Sequence, residues 1–140
     1  MLIKNRTNVY DFNFHLVFVT KYRRAVFTTP KLRGDMADIL NKHASEKGYH
    51  IENLKVMPDH VHMMISFPPK QAPAEVVKNM KGTAARLWFK LHPETKEKLW
   101  RGHLWSPSYF MSTLGNVSKT IVQQYIEDQM RKSYPQQKNG

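Results

Sequence analysis

His60 and His62 are separated by one residue. On a β-strand alternate side chains leave the same face, so a His-x-His pair can converge both imidazoles on one metal ion. With seven His in 140 residues, chance alone produces about 0.35 such pairs per chain. Two histidines simply lining a polar or half-buried sheet face is therefore the readier reading of the bare pattern. A second feature lies downstream, where Tyr125 and Gln129 are four residues apart. Helical spacing puts that phenol and that amide on one face, about one turn apart. A phenol with its usual pKa of about 10 is a poor nucleophile, but beside a divalent cation and a phosphodiester it can attack phosphorus and leave a phosphotyrosine link. Alone, Tyr125 also suits a core or rim aromatic.

The surrounding elements must bring these groups together. Phe12, Phe14, Leu16 and Phe18 alternate with Asn13, His15, Val17 and Val19, which predicts a first strand. Thr29 before Pro30 has the form of a helix start, and Leu32, Met36, Ile39, Leu40 and His43 recur at helical spacing until Gly48. A second strand is expected from about Tyr49 to Met57, a turn at Pro58 and Asp59, and a third strand from His60 to Phe67. A second helix is expected over about Pro73 to Leu91, with Val77, Met80, Ala84, Leu87 and Leu91 inward and Lys78, Lys81, Arg86 and Lys90 largely outward. Tyr109 to Thr113 reads as a fourth strand, Gly115 and Asn116 as a turn, and Val117 to about Arg131 as a third helix. The order β-α-β-β-α-β-α predicts an α+β fold, the ferredoxin-like split βαβ antiparallel sheet with an additional C-terminal helix. Residues 1–132 are expected to form a single domain and residues 133–140 a flexible tail.

Composition narrows the chemistry. The chain has no cysteine, which excludes disulfide scaffolds, thiol nucleophiles and cysteine-ligated zinc. Its 22 Lys and Arg against 11 Asp and Glu give a net charge of +11. A small protein this basic is expected to neutralise phosphate. No signal peptide or transmembrane span is read in the sequence, so a cytoplasmic location on nucleic acid is expected. Lys21, Arg23 and Arg24 around Tyr22 combine charge with an aromatic platform, as single-strand binders do. Lys78, Lys81, Arg86 and Lys90 could contact the backbone of a DNA hairpin, although a solvated surface charge is as good a reading for each. Trp88, Trp100 and Trp105 have apolar or turn-forming neighbours and suit the core better than base stacking.

The segment Val56-Met57-Pro58-Asp59-His60-Val61-His62 reads as a His-hydrophobic-His (HUH) motif preceded by Pro-Asp. With it stand the stretch from His15 to Arg24, the stretch Leu104-Trp105-Ser106-Pro107-Ser108-Tyr109-Phe110, and Asn116-Val117-Ser118 leading to Tyr125-Ile126-Glu127-Asp128-Gln129. In these four segments the chain, from about Asn8 to Met130, resembles the single-tyrosine HUH transposases of small bacterial insertion sequences, with repeat-associated tyrosine transposases as relatives. The resemblance implies that Tyr125 is the nucleophile and that His60 and His62 hold a Mg²⁺ or Mn²⁺ ion with Gln129 as a third protein ligand. Asp59 would then stand behind the histidines, or simply form the turn after Pro58. The implied reaction is cleavage of hairpin-forming single-stranded DNA at insertion-sequence ends, leaving a 5′-phosphotyrosine and a free 3′-hydroxyl, followed by rejoining. Exchanging one phosphodiester for another needs no ATP motif, and none is read in the sequence.

Val117, Ile121 and Tyr125 run along one side of the last helix while Val122, Ile126 and Met130 widen the apolar arc. Together with the resemblance this leads to an expected two-fold homodimer with active sites shared between subunits. Two alternatives stay open at this level: a domesticated, repeat-associated nuclease with the same chemistry, and a non-catalytic ferredoxin-like nucleic-acid-binding module. Trp105-Ser106-Pro107-Ser108-Tyr109 looks more like the mobile-element branch.

Overall fold

The computed structural model describes residues 3–4, 9–10, 14–99, 102–112 and 119–133. In chain order the elements are β1 (Ile3–Lys4), β2 (Val9–Tyr10), β3 (Phe14–Val19), α1 (Pro30–Lys47), β4 (His50–Met57), β5 (His60–Ser66), α2 (Pro73–Leu91), β6 (Phe110–Ser112) and α3 (Lys119–Ser133). Strands β4-β5-β3-β6 form one antiparallel sheet in that order, and β1 pairs with β2 separately. With β3, β4, β5 and β6 as its four strands, this is the expected split βαβ arrangement with α3 added. The small β1-β2 pair was not anticipated. The expected turn at Gly115 and Asn116, the helix start at Val117 with Ser118, the strand ends at Phe12 and Thr113, Trp100, the tail 134–140 and the side chains of Val122 and Met130 lie outside the described residues.

Alternation decides the faces. Leu16 and Phe18 of β3 and Val61, Met63 and Ile65 of β5 point to one side and are fully buried, together with Met36 and Leu40 of α1 and Val76, Met80 and Trp88 of α2. Thr29 caps α1 by accepting a hydrogen bond from the Leu32 N–H at 3.1 Å, and Gly48 ends it at φ 79°, a left-handed conformation that suits glycine. On α2 the buried stripe follows i+4 steps through Val76, Met80, Ala84 and Trp88, so Leu91 is exposed instead of inward. The indole of Trp88 occupies the last inward position, edge-on to Phe27 at 4.9 Å, with its N–H donated to Thr95. Trp105 is buried too, edge-on to Phe18, in agreement with the core reading of both tryptophans.

The pairing of β4 with β5 shifts register between Glu52 and Lys55, and Asn53 there has φ 55°. The extra residue of this bulge lets Ile51 before it and Val56 after it both face the helices, opposite Ile65 and Val61. It thereby keeps the β4-β5 turn, and with it Asp59 and His60, in step with the end of β3.

Candidate active site

The other side of the sheet carries the candidate residues. Val17 pairs with His62 and Val19 with His60, and directly opposed residues of antiparallel strands share a face. Val17 and Val19 form a small cluster there with Ile126 of α3, against which Phe110 and Tyr125 pack. The two histidines, Tyr125 and α3 therefore occupy one face of the sheet, opposite α1 and α2. His15 joins them: its ring lies 5.7 Å from that of His62. Sequence reasoning did not single out His15, although its odd position in the Phe14–Val19 alternation already puts it on this face.

His60 is fixed from behind. Its Nδ1 is 2.8 Å from Asp59 Oδ1, and Asp59 Oδ2 accepts from Arg23 Nε at 2.9 Å, with a second guanidinium nitrogen at 2.7 Å. Burial pushes the Asp59 carboxyl up, but the hydrogen bonds from His60 and Arg23 outweigh it and hold the pKa below the usual value. An ionised carboxylate only accepts, so His60 donates its Nδ1–H to Asp59, and Nε2 is the ring nitrogen outside that contact. The Asp59 backbone is held as well, its carbonyl accepting from the Thr20 N–H and hydroxyl, while the Pro58 carbonyl accepts from the N–H groups of Val26 and Phe27. Burial, with the basic side chains of His15, His60 and Lys55 adding to it, lowers the pKa of His62 and favours its neutral imidazole.

Tyr125 is half-buried, its ring 5.8 Å from Phe110 and its hydroxyl 3.3 Å from the Ser108 hydroxyl. Burial raises the phenol pKa and the Ser108 contact offsets only part of that, so the resting group is a neutral phenol. Gln129 is buried, and its Oε1 accepts from the Ser106 hydroxyl at 3.0 Å. The hydrogen bonds of Tyr125 and Gln129 thus run to the segment leading into β6, not to the histidines. Phe110 lies two strands from His62, an offset of about 10 Å across the sheet.

The basic residues divide into two groups. Lys78, Arg86 and Lys90 point outward as expected, and Arg24 is exposed. Lys81 does not point outward: its Nζ donates to the carbonyls of Ser106 and Ser108 at 2.7 and 3.0 Å, and burial lowers its pKa to about 8. Arg23, read as a candidate DNA contact, is committed to Asp59. It and Tyr22 adopt φ of 51° and 57° in the short turn Lys21–Arg23, where Lys21 Nζ sits 5.1 Å from the Tyr22 ring centre. Residues with these left-handed angles are uncommon outside glycine. Here the turn directs the Arg23 guanidinium onto the carboxylate behind His60. Ser106 and Ser108, like Lys81 in this setting, escaped sequence reasoning because their partners lie in a segment with no periodicity.

Residues 8–129 match the family model described as transposase, IS200-like. The chain belongs to the IS200-like transposase family. It is 41% identical over 126 residues to the ISDra2 transposase TnpA of Deinococcus radiodurans, covering 90% of this chain and 89% of that protein. It is 30% identical over 118 residues to the transposase for insertion sequence element IS200 of Salmonella typhimurium, covering 84% of this chain and 76% of the relative. Among solved structures, one of a D. radiodurans protein described as a candidate transposase superposes with a TM-score of 0.82 at 37% identity, over 91% of this chain and 97% of that one. A REP-associated tyrosine transposase bound to a REP hairpin shares the fold alone, at a TM-score of 0.54 and 12% identity, over 91% of this chain and 69% of that one. The transposase expectation from the four segments therefore holds, and with it a role in DNA transposition. Among the described residues no helix is long and apolar enough to cross a membrane.

Proposed function

We propose that this transposase cuts and rejoins hairpin-forming single-stranded DNA at insertion-sequence ends, with Tyr125 as the attacking group. The observation that carries the proposal is the shared face: His60 and His62 leave the sheet on the side where α3 brings Tyr125 and Gln129. The hairpin in the complex of the REP-associated relative supports folded single-stranded DNA as the partner class. The charge of +11 supports a phosphate-rich one.

His60, with Nε2 free of the Asp59 contact, and His62, whose neutral form burial favours, suit a divalent cation. Among the described residues no three of His, Cys, Asp or Glu come together as ligands, so a third donor is sought in an amide, and Gln129 is the candidate on the same face. Two imidazoles and an amide oxygen fit Mn²⁺ comfortably and Mg²⁺ with phosphate and water oxygens added. When bound, the ion supplies Lewis-acid polarisation of the scissile phosphate and orients it for in-line attack. The Tyr125 oxygen then forms the new bond to phosphorus, the phenolic proton is lost to solvent or a neighbouring base, and the 3′ oxygen leaves with a proton as a hydroxyl. The product is a 5′-phosphotyrosine, and reversal by a new 3′-hydroxyl rejoins the strand. Before attack the phenol must give up its proton, a loss that burial opposes and the Ser108 contact only partly offsets.

Ile121, on the same helix, is 54% exposed. A second copy of the chain would cover it, which supports a two-fold dimer in which Tyr125 of one chain serves the histidines of the other. Mixing inactive Tyr125→Phe protein with inactive His62→Ala protein tests this sharing: partial recovery of cleavage supports it, and mixed dimers that stay inactive contradict it. The nuclease reading itself is tested by incubating the protein with a hairpin-bearing single strand and Mn²⁺. A covalent protein–DNA band on a denaturing gel, absent with chelator and with His60→Ala, is expected. A band that persists under both conditions contradicts the metal assignment.

A further inference from the structure

Lys81 sits in the middle of α2, one helical turn from Val77 and beside Met80, both buried in the core. Its stem passes the Phe18 ring, with Nζ 5.9 Å from the ring centre, and its ammonium ends on the carbonyls of Ser106 and Ser108. An ammonium that loses part of its hydration is unfavourable unless fixed acceptors compensate it. Burial accordingly draws its pKa down to about 8. In a chain with 22 Lys and Arg, this cation is half-buried and turned onto backbone carbonyls.

What it holds is specific. The two residues whose carbonyls it takes are the two whose hydroxyls meet α3: Ser106 donates to Gln129 at 3.0 Å and Ser108 meets the Tyr125 hydroxyl at 3.3 Å. Between them Pro107 offers no N–H of its own. Upstream, Leu104 and Trp105 are packed in the helix-covered core, and the Ser106 N–H donates to the Val19 carbonyl. The segment is thus tied to β3 at the Ser106 N–H and again where Phe110 pairs with Val17, and between these two points the ammonium holds the carbonyls of Ser106 and Ser108.

We propose that Lys81 is a positioning residue for strand cleavage: by binding the carbonyls of Ser106 and Ser108 it sets the two hydroxyls that place Gln129 and Tyr125. This rests on the reading of Tyr125 as the nucleophile. It gives Lys81 a role distinct from a phosphate contact, and the two roles separate experimentally. Lys81→Met keeps the stem and removes the charge. Cleavage at saturating hairpin DNA is expected to fall roughly 10- to 100-fold, the range of a misplaced reacting group, while hairpin affinity and its salt dependence stay unchanged. Unchanged cleavage, or a loss confined to affinity with a shallower salt slope, overturns the proposal.

A packing defect is separated from the loss of the ammonium by chemical rescue. Because the chain has no cysteine, Lys81→Cys offers a single thiol, which can be alkylated in mild denaturant and refolded. Aminoethylation restores an ammonium at lysine length, whereas S-propylation restores bulk alone. Rescue by the first and not the second is expected, and equal rescue by both overturns the proposal. A final readout does not depend on turnover. In protein labelled with 3-fluorotyrosine, the ¹⁹F resonance assigned to Tyr125 through Tyr125→Phe should shift in Lys81→Met. An unmoved Tyr125 resonance overturns the positioning role, while a moved resonance in a protein that never cleaves DNA places the failure with the nuclease reading.

Discussion

On the side of the sheet covered by α1 and α2, β3 and β5 present Leu16, Phe18, Val61, Met63 and Ile65, all fully buried among apolar neighbours. On the other side the same two strands present His15, Val17, Val19, His60 and His62, and the described apolar cover is the small cluster of the two valines with Ile126, Phe110 and Tyr125. Order on the first side comes from close packing, which tolerates little change in volume. Order on the second comes from directed polar contacts: Asp59 to His60, Ser108 to Tyr125, Ser106 to Gln129. Substitutions on the first side should therefore register as lost stability, and substitutions on the second as lost activity in a protein that still folds.

The sharpest break in this comparison is His62→Ala. Cleavage of a hairpin-bearing strand should fall to background, because one of the two proposed imidazole ligands is gone, while thermal unfolding shifts little. A large drop in melting temperature would instead assign His62 to the fold. Phe18→Ala, on the adjacent strand but the opposite face, should show the reverse: a loss of about 3–5 kcal/mol in denaturant unfolding, with cleavage kept at temperatures where the protein remains folded. A selective loss of cleavage in that variant would dissolve the division between the faces.

Asp59→Ala sharpens the comparison at an intermediate level. Removing the carboxylate frees His60 to rotate and change tautomer, so cleavage should fall roughly 10- to 100-fold, as for lost partners behind metal-bound histidines. Excess Mn²⁺ should restore part of it. No recovery across a wide Mn²⁺ titration would mean that Asp59 acts through Arg23 and the turn Lys21–Arg23, not through the histidine.

The smallest expected effect belongs to the covered side. His43 of α1 is buried in the core with Nε2 unpartnered, and burial, aided by Lys47 and opposed by Glu46, lowers its pKa below 6.5. The unfolded chain therefore takes up a proton first as pH falls through 6.5, so folded stability is intact above that value and declines below it. His43→Leu should flatten the decline without abolishing it, because His62 also has a lowered pKa. Unfolding curves at pH 7.5 and 5.5 measure this, and an unchanged pH dependence in the variant would contradict it.

The same division explains what the sequence made legible. Alternation in Phe14–Val19 and His60–Ser66 and the Thr29-Pro30 and Pro73 helix starts lie within short stretches of chain, so these strands and the boundaries of α1 and α2 could be read from them. His60, His62, Tyr125 and Gln129 were singled out as candidates through spacing and resemblance. The hydrogen bonds that hold them were not, because Lys81 reaches Ser106 and Ser108 across 25 and 27 residues, and Arg23 reaches Asp59 across 36. A lysine among outward lysines and a serine beside proline carry no local sign of such partners. The bulge at Asn53 escaped for a related reason: only the register on β5 reveals the extra residue.

The central claim is that Tyr125, among the six tyrosines of the chain, is the residue that becomes joined to DNA. The direct measurement is to trap the covalent adduct with a hairpin-bearing single strand and Mn²⁺, digest protein and DNA, and locate the nucleotide-bearing peptide by mass spectrometry. The account predicts a 5′-phosphotyrosine on Tyr125. A nucleotide on any other residue, such as Tyr22 or Tyr109, would contradict it.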